Sequence, residues 1–428
     1  MAGKLVLVLL AARLCAQVDP GLELNRLVSE QTGGKFKLRG EFRLRPEART
    51  GAGFGREANL ENPVIRTRIG MEYLAAPWLK ISALGQDARA PLYGVPAPGT
   101  VRDSMDLHES YLELFPNQKR GFGAVIGRQM LNYGESRLIG VPDWSNVART
   151  FDTARFYYRH PRARLEFLFV SPVKVRPDDF NKPVLGDRVW GVYNTFPNAI
   201  PKGTLEGYVL RHDQNRPGGF TGAGRLGVNT FGGRAAGALA AGFRYSLEGA
   251  AQSGHVGSAT HRAAAWFSGL SRTVALHWPV DFSLEYKYAS GTDSSRQDRV
   301  STFDQMYPAN HDKFGHADLF GWRNIHNVRS LETFRFTKTT ALNLMYNNSW
   351  LASAGDALYN GAGRAIARAP QGDSGRHVGQ EFDVFATQQW GPFKFGAGFA
   401  HFFAGEFLRN TTPHVNTRYL YIFQSYAF

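Results

Sequence analysis

Apolar and charged residues alternate in many short segments of this chain. From residue 36 to residue 45 the even positions are Phe, Leu, Gly, Phe and Leu, whereas every odd position is Lys, Arg or Glu. A period of two puts the apolar set on one face of a β-strand and the charged set on the other, whereas a helix would mix them around its circumference. One such strand fits a soluble sandwich as well as a barrel wall.

The same alternation recurs across the whole sequence, near residues 65–73, 155–159, 164–169, 282–288 and 381–387. Charge on one face of strand after strand is typical of a transmembrane barrel with a lipid-facing outside and a wet lumen. In the strand that runs to Tyr73, the pattern predicts that Arg66 and Arg68 point into the lumen. Ile65, Ile69 and Met71 are then predicted to face lipid.

The fold class predicted from this segmentation is all-β, a transmembrane antiparallel β-barrel. Eighteen strands are expected, and sixteen would also fit because the segments between 203 and 239 are weakly patterned. They lie near residues 35–45, 62–74, 78–87, 105–116, 121–131, 152–160, 163–170, 188–197, 203–211, 228–239, 242–252, 261–270, 281–290, 328–337, 340–351, 379–390, 392–403 and 417–428. No apolar run reaches the roughly 18 residues of a spanning helix.

The connections between these segments alternate between short and long. The stretches at 75–77, 160–162 and 391–392 each contain a proline and predict tight periplasmic turns. Long polar stretches lie at 46–61, 88–104, 132–151, 291–327 and 352–378. Loops of that length are unusual in a compact soluble domain, whereas a barrel carries them outside the cell or folded inward as plugs.

Both ends of the chain indicate export. A basic Lys4, an apolar stretch from Leu5 to Ala12 and a plausible cleavage point after Ala16 predict a secretory signal at residues 1–16. Residues 17–34 are then a periplasmic lead-in, and residues 35–428 form the barrel. The aromatic terminus at Phe428 resembles the signal that barrel-assembly machinery recognises, so this machinery and outer-membrane lipid are predicted partners.

Charge and cysteine content narrow the chemistry. The formal net charge of the 428 residues is +14, and the only cysteine, Cys15, lies in the predicted signal peptide. A mature chain would therefore contain neither a disulfide nor a thiolate nucleophile. An excess of basic residues is compatible with a nucleic acid, an anionic membrane or an anionic solute as the binding partner. Because the chain is predicted to be exported, nucleic acid is the poorest of these candidates.

The segment from residue 127 to residue 155 is dense in glycine, arginine and aromatic residues. Its four arginines could form a cluster that handles anions, with carboxylates holding some of them in place by bidentate pairs. A solvated loop with scattered charge is equally compatible with this composition. The candidate pore-lining or substrate-binding residues are Arg66, Arg68, Arg128, Glu135, Arg137, Arg149, Asp152 and Arg155. Asp152 is expected to hold both Arg149 and Arg155.

The same segment carries a family resemblance. G-R-Q-x-x-x-Y-G-x-x-R-L-I-G from Gly127 and W-S-N-V-A-R-T-F-D from Trp144 resemble the core motif of the alginate-export family of outer-membrane barrels. Residues 303–311, 318–326 and 379–383 also resemble that family. The resemblance implies an 18-stranded barrel with an electropositive pore. That count guided the placing of the weaker strands, and alginate as the substrate follows from the resemblance alone.

Other chemistries have weaker signals. His311, Asp312, His316 and Asp318 match no standard zinc spacing, and the segment from Asp293 to Asp298 lacks the glycine and glutamate of an EF-hand loop. Ser136 has no base beside it in the sequence. We therefore predict neither cofactor nor metal, and no enzyme activity, although a catalytic partner could be distant in the chain.

The function predicted from the sequence is an outer-membrane channel for an anionic polysaccharide, such as an alginate-like polyuronate, or for an acidic solute. Arginine suits carboxylates because its planar fork pairs with both oxygens and stays charged. A porin that takes up small acidic nutrients is the alternative within transport. A barrel enzyme acting on surface lipid or polysaccharide is the alternative from another class. Periplasmic export components are a further candidate partner.

Overall fold

A computed structural model describes residues 20–55, 60–93, 98–215, 224–293 and 298–428. The predicted signal peptide lies outside the described residues. Eighteen long strands dominate the described chain. They are β1 (Phe36–Thr50), β2 (Leu60–Ala76), β3 (Leu79–Arg89), β4 (Asp103–Leu114), β5 (Gly121–Gln129), β6 (Phe151–His160), β7 (Ala163–Lys174), β8 (Asp187–Ile200), β9 (Gly203–Gln214), β10 (Leu226–Ala238), β11 (Phe243–Val256), β12 (Ala259–Val274), β13 (Val280–Ala289), β14 (Ile325–Arg335), β15 (Thr340–Leu351), β16 (His377–Trp390), β17 (Phe393–Ala404) and β18 (Thr417–Ala427).

These strands form one closed antiparallel barrel. Each strand pairs with the next along the chain, and β18 returns to pair with β1 from Glu41↔Ala427 to Thr50↔Arg418. The short strands Lys182–Pro183 and Arg299–Val300 add to two barrel strands at one rim. Closure removes the unpaired edge that an open sheet would present. The predicted fold class and the count of eighteen are confirmed.

Alternation along each strand sorts side chains between the lumen and the outer face. In β2, Arg66 is 1% exposed and Ile69 is 71% exposed. The neighbouring positions in register, Arg43 on β1 and Ala88 on β3, are buried as well, so this face of the sheet lines the interior. Ile65 is half-buried and Met71 is exposed on the opposite face.

The two ends of the barrel differ in the length of their connections. One end carries short links, including those at residues 77–78, 161–162 and 391–392. The other carries the long segments, which marks it as the extracellular end. The predicted loop at 46–61 is shorter in the structure, because β1 continues to Thr50 and β2 begins at Leu60. The residues that extend β1 and β2 lie at the rim of the barrel, in water. Because no apolar face is needed there, the alternation of apolar and charged residues disappears from the sequence.

A helix precedes the barrel at its periplasmic end. This helix, α1 (Pro20–Gln31), lies within the predicted lead-in. The Asn25 side chain donates to the Leu38 carbonyl and accepts from the Leu38 amide, at 3.0 and 2.9 Å. The Gly21 amide donates to the Tyr426 hydroxyl at 3.0 Å. The helix is thereby fixed to both β1 and β18, where the barrel closes.

A shorter helix, α2 (Glu406–Thr411), and a small hairpin, Ala357–Tyr359 with Ala365–Arg368, lie in the extracellular connections. Within the described ranges, no helix is long and apolar enough to cross a membrane. The main apolar cluster lies inside the extracellular half of the barrel and includes Phe303, Phe320 and Trp322. These residues belong to a connecting segment, so the interior is filled by folded loops.

Candidate functional site

Two connections turn into the barrel and fill its extracellular half. We call residues 130–150 loop A and residues 301–324 loop B. They are joined by backbone hydrogen bonds: the Gly140 amide donates to the Tyr307 carbonyl at 2.9 Å, and the Tyr307 amide donates to the Leu138 carbonyl at 2.8 Å. The Ala309 amide donates to the Ser136 carbonyl at 2.9 Å. The two loops therefore act as one plug.

Arginines on β1 and β2 hold loop A against the barrel wall. Arg43 donates to the carbonyl oxygens of Asp143 and Ser145 at 2.8 and 2.9 Å. Arg66 donates to the same two carbonyls at 3.0 and 3.1 Å. The guanidinium of Arg45 lies over the Trp144 ring, 4.2 Å from its centroid. A guanidinium offers five donors in a fixed fork, which suits a loop that presents several carbonyls at once.

Two carboxylates complete this anchor. Glu41 pairs with Arg66 at 2.6 Å and with Arg68 at 3.1 Å, and Asp143 pairs with Arg68 at 2.9 Å. Partial burial alone would raise the pKa of Asp143, but Arg66 and Arg68 outweigh it and hold this pKa below its ordinary value. Asp143 is therefore ionised at neutral pH. The predicted residues Arg66 and Arg68 lie in the interior, as expected, but their donors are engaged by loop A and by the barrel wall.

Arg149 lies half-buried where the two loops meet. It donates to the Gly140 carbonyl at 3.3 Å and to the Pro308 carbonyl at 3.0 Å. Burial lowers the pKa of Arg149 to about 10, while Tyr307 and Asp187 oppose that shift, so the group remains charged at neutral pH. Its position between carbonyls makes it a link between loops A and B.

Loop B is attached to the far wall. His212 on β9 contacts Asp304 of loop B at 2.5 Å and Asp187 on β8 at 3.1 Å. On β16, Glu381 accepts from the Ala317 amide at 2.8 Å. Burial lowers the pKa of His316 in loop B to about 3, with His311 adding to the effect, so the imidazole is neutral. The plug is thus fixed to several sides of the barrel.

Below the plug, two cavities open toward the periplasmic end. The larger, of about 490 Å³, is lined on its charged side by Glu135, Arg137, Lys202, Arg234, Arg244 and Glu285. The smaller, of about 250 Å³, is lined by Arg155, Arg164, Glu166 and Glu206 together with tyrosine and asparagine side chains. The tip of loop A contributes to both cavities. Six basic side chains face four acidic ones in these two spaces.

Ion pairs fix several of these basic groups, and two of the arginine side chains also face water. Arg155 donates to Glu166 at 2.7 Å and to Gln129 at 2.9 Å, and Arg137 pairs with Glu248 at 2.8 Å. Arg164 pairs with Glu166 at 2.7 Å, yet its side chain is 38% exposed, and the side chain of Arg244, which lies 3.9 Å from Asp281, is 56% exposed. A solute in the lumen would therefore meet Arg164 and Arg244 directly.

The structure brings Arg137, Arg155 and Glu135 together around these cavities, but Arg128 and Asp152 are elsewhere. Arg128 pairs with Asp152 at 2.8 Å, and both share the strand face of the exposed Ile126 and Phe156. This corrects the expectation for both residues, because alternation turns them to the outer face near the rim. It also corrects the role expected for Asp152: Arg128 is its partner, whereas Arg149 and Arg155 bind other groups.

Sequence reasoning missed Arg164, Arg234 and Arg244. Arg234 pairs with Glu135 at the tip of loop A and with Glu206 at 3.2 Å. It lies on β10, whose Gly- and Ala-rich pattern is weak. That its side chain faces the lumen could be assigned only once the register of this strand was known. Arg164 stood in a recognised alternating segment, so its lumen-facing position was available from the sequence.

The residues considered for metal binding or catalysis make contacts within the folded loops. His311 contacts Asp318 at 2.7 Å and stacks on Trp144 with ring centroids 4.4 Å apart. In the described part of the chain, no group of three or more His, Cys, Asp or Glu residues is arranged to hold a metal ion. The Ser136 hydroxyl donates to the Asn132 side chain at 2.9 Å.

Known structures share this fold. Pseudomonas aeruginosa OccK8 (OprE) is 10% identical, with a TM-score of 0.64 over 92% of this chain and 98% of that chain. Pseudomonas aeruginosa OpdK with vanillate is 11% identical, with a TM-score of 0.63 over 91% and 98%. Pseudomonas aeruginosa OccD3 (OpdP) is 11% identical, with a TM-score of 0.62 over 91% of each chain. No curated protein matches the chain.

Structures that are only 10–11% identical show the fold but not the family, and the family is assigned by a match to a family model. The model described as alginate export matches residues 33–421, which is nearly the whole described barrel. The match includes both inner loops and all of the arginines that hold them. With a closed barrel of eighteen strands, it places the protein in the outer membrane. The chain belongs to the alginate export family of outer-membrane β-barrels.

Proposed function

We propose that this barrel is a channel for an anionic polysaccharide of the polyuronate class, which moves along the basic side chains below the plug. The observation that carries this proposal is the pair of cavities at the tip of loop A, where six basic side chains face four acidic ones. A polyuronate has one carboxylate per sugar. A strip of separate arginines suits such a repeating charge better than a single deep pocket does.

Fixed positive charge in a narrow lumen lowers the energy of an anion that has shed part of its water. Arg164 and Arg244 are the arginines of the strip with the most exposed side chains, so they would meet the carboxylates. Glu135 and Glu166 share the same walls. Their negative charge limits how tightly any one carboxylate binds, and a channel needs that limit because its solute must leave as well as enter.

The test is ion selectivity in a planar bilayer under a salt gradient. The parent should be anion-selective, and the double variant Arg164→Glu with Arg244→Glu should shift the reversal potential toward cations. The preference should weaken as salt rises, because fixed charge is screened within roughly 10 Å at 0.1 M. A polyuronate added on one side should block current in the parent and do so less in the variant.

Arg272→Glu is the matched control, since Arg272 is exposed on the lipid-facing side of β12. It makes the same arginine-to-glutamate replacement once, on the outer face, without touching the lumen, so the selectivity should match that of the parent. A cation-selective parent would overturn the proposal. Loss of hydrolysis or transfer activity on changing Ser136, with conductance intact, would instead support a barrel enzyme.

A second candidate is a channel for small acidic solutes. It is favoured by the similar barrel fold of OpdK, whose structure is described with vanillate, a small aromatic carboxylate. The same exposed arginines would serve such a solute. An anion-selective pore whose current is indifferent to polyuronate but is reduced by a small carboxylate would favour this candidate.

A further inference from the structure

A basic concavity lies on the outside of the barrel, on the face opposite to the lumen. Arg188 is on β8, Arg211 is on β9 and Arg225 directly precedes β10. The strands are in register here, with Arg188 opposite Asp213 and Trp190 opposite Arg211. The three arginines and Asp213 line a space of about 500 Å³. We call these four residues the outer basic site.

Strand alternation identifies the face. On β8, Arg188 lies on the same face as Trp190 and Val192, which are 41% and 36% exposed. On β9, Arg211 lies on the same face as Val209, which is 45% exposed. Those three residues continue the outer surface toward the periplasmic end. The outer basic site therefore stands directly above an apolar band, at the height where lipid headgroups meet acyl chains.

The site is built by the strands around it. Asp213 accepts from Arg211 Nε at 2.9 Å and from the Trp190 indole at 3.1 Å, and it lies 3.9 Å from Arg188 Nε. Gly227, opposite Asp213 on β10, leaves room for the Arg211 guanidinium, which a side chain at this position would overlap. One carboxylate thus orients two arginines, and three positive charges remain against one negative charge.

We propose that the outer basic site binds the phosphate groups of a phosphorylated glycolipid in the outer leaflet of the membrane. Arginine recognises phosphate by paired, charge-assisted hydrogen bonds. The exposed Arg188 and the half-buried Arg211 present such donors at headgroup level, while Trp190 and Val209 offer an apolar surface to the acyl chains below. A soluble anion would use the arginines alone, whereas a lipid uses both surfaces.

The test measures lipid retained by the purified, folded barrel after detergent exchange, by native mass spectrometry. The probes are bis-phosphorylated lipid A and its dephosphorylated form. The parent should retain the phosphorylated lipid in clear excess. The triple variant R188Q, R211Q and R225Q should retain at least about tenfold less, since each arginine near an anionic lipid surface contributes about fivefold. Arg418→Gln is the control, an exposed arginine on the outer face of β18, and should behave like the parent.

Two single changes keep the test decisive if the triple variant fails to fold. Arg225→Gln lies outside the barrel ladder and should lower retention, whereas Asp213→Asn removes the opposing charge and should raise it. Equal retention of the two lipid forms by the parent would overturn the proposal, as would unchanged retention in R225Q. Full displacement of the lipid by millimolar inorganic phosphate would assign the site to a soluble anion instead.

Discussion

Each outward side chain in this barrel meets lipid or water according to its height on the strand. Ile69 is 71% exposed on the outer face of β2, opposite Gly40 on β1 and Gly85 on β3. Leu92 is also exposed, at 70%, but it lies in the connection after β3. The two residues are alike in chemistry and differ in the solvent that surrounds them.

Replacing Ile69 with Arg should destabilise the barrel in lipid by about 2–4 kcal/mol, because a charge near the bilayer midplane loses its hydration. Leu92→Arg should cost less than about 1 kcal/mol, since its guanidinium stays in water. Reversible urea unfolding in lipid vesicles measures both. Equal costs for the two variants would mean that this register, and with it the assignment of faces, is shifted by one residue.

At the scale of an element, loop A depends on buried charge. Arg66 is 1% exposed. It donates to two backbone carbonyls of loop A and also pairs with the carboxylates of Glu41 and Asp143. Without Arg66, both carbonyls still accept from Arg43 and both carboxylates still pair with Arg68, so the expected cost is about 1.5–3 kcal/mol, as for a hydrogen bond to a charged group. The cost would fall on the contact between loop and wall, because the barrel ladder itself is unchanged.

Arg66→Gln should therefore loosen loop A, and the single-channel conductance should rise with frequent fluctuations between levels. Lys37→Gln is the matched control: it removes one positive charge from an exposed, lumen-facing position at the periplasmic end of β1. Its conductance should remain steady. Steady currents of parental size in Arg66→Gln would show that loop A is held mainly by its contacts with loop B.

At the scale of the whole molecule, the barrel is complete only where β18 meets β1. Phe428 and Gly40 exchange backbone hydrogen bonds of 3.1 Å, and the Phe428 ring lies over Gly40 and over Gly21 of α1. A side chain at Gly40 would overlap that ring. Helix, first strand and last residue thus meet at one seam.

Gly40→Val should displace the Phe428 ring and weaken closure, with an overpacking cost of about 1–3 kcal/mol. The fraction of protein that migrates as the folded form on an unboiled gel should fall. Gly207→Val introduces the same side chain on the outer face of β9, where nothing lies within 4 Å of the new Cβ, and should leave that fraction unchanged. A loss of folded protein in both variants would point to strand flexibility rather than to the seam.

The sequence by itself determined the barrel, most of its strands and the face of most residues, since alternation is a local property that most strands display alone. The family resemblance guided the placing of the weakly patterned strands. The sequence also marked Arg155 and Arg137 as interior charges. The tertiary structure decided what those charges do. Arg43 meets Asp143 across 100 residues and Arg234 meets Glu135 across 99, and no local pattern encodes such contacts. Arg128 and Asp152 turn outward because one step along a strand reverses the face, and only the pairing register fixes that step.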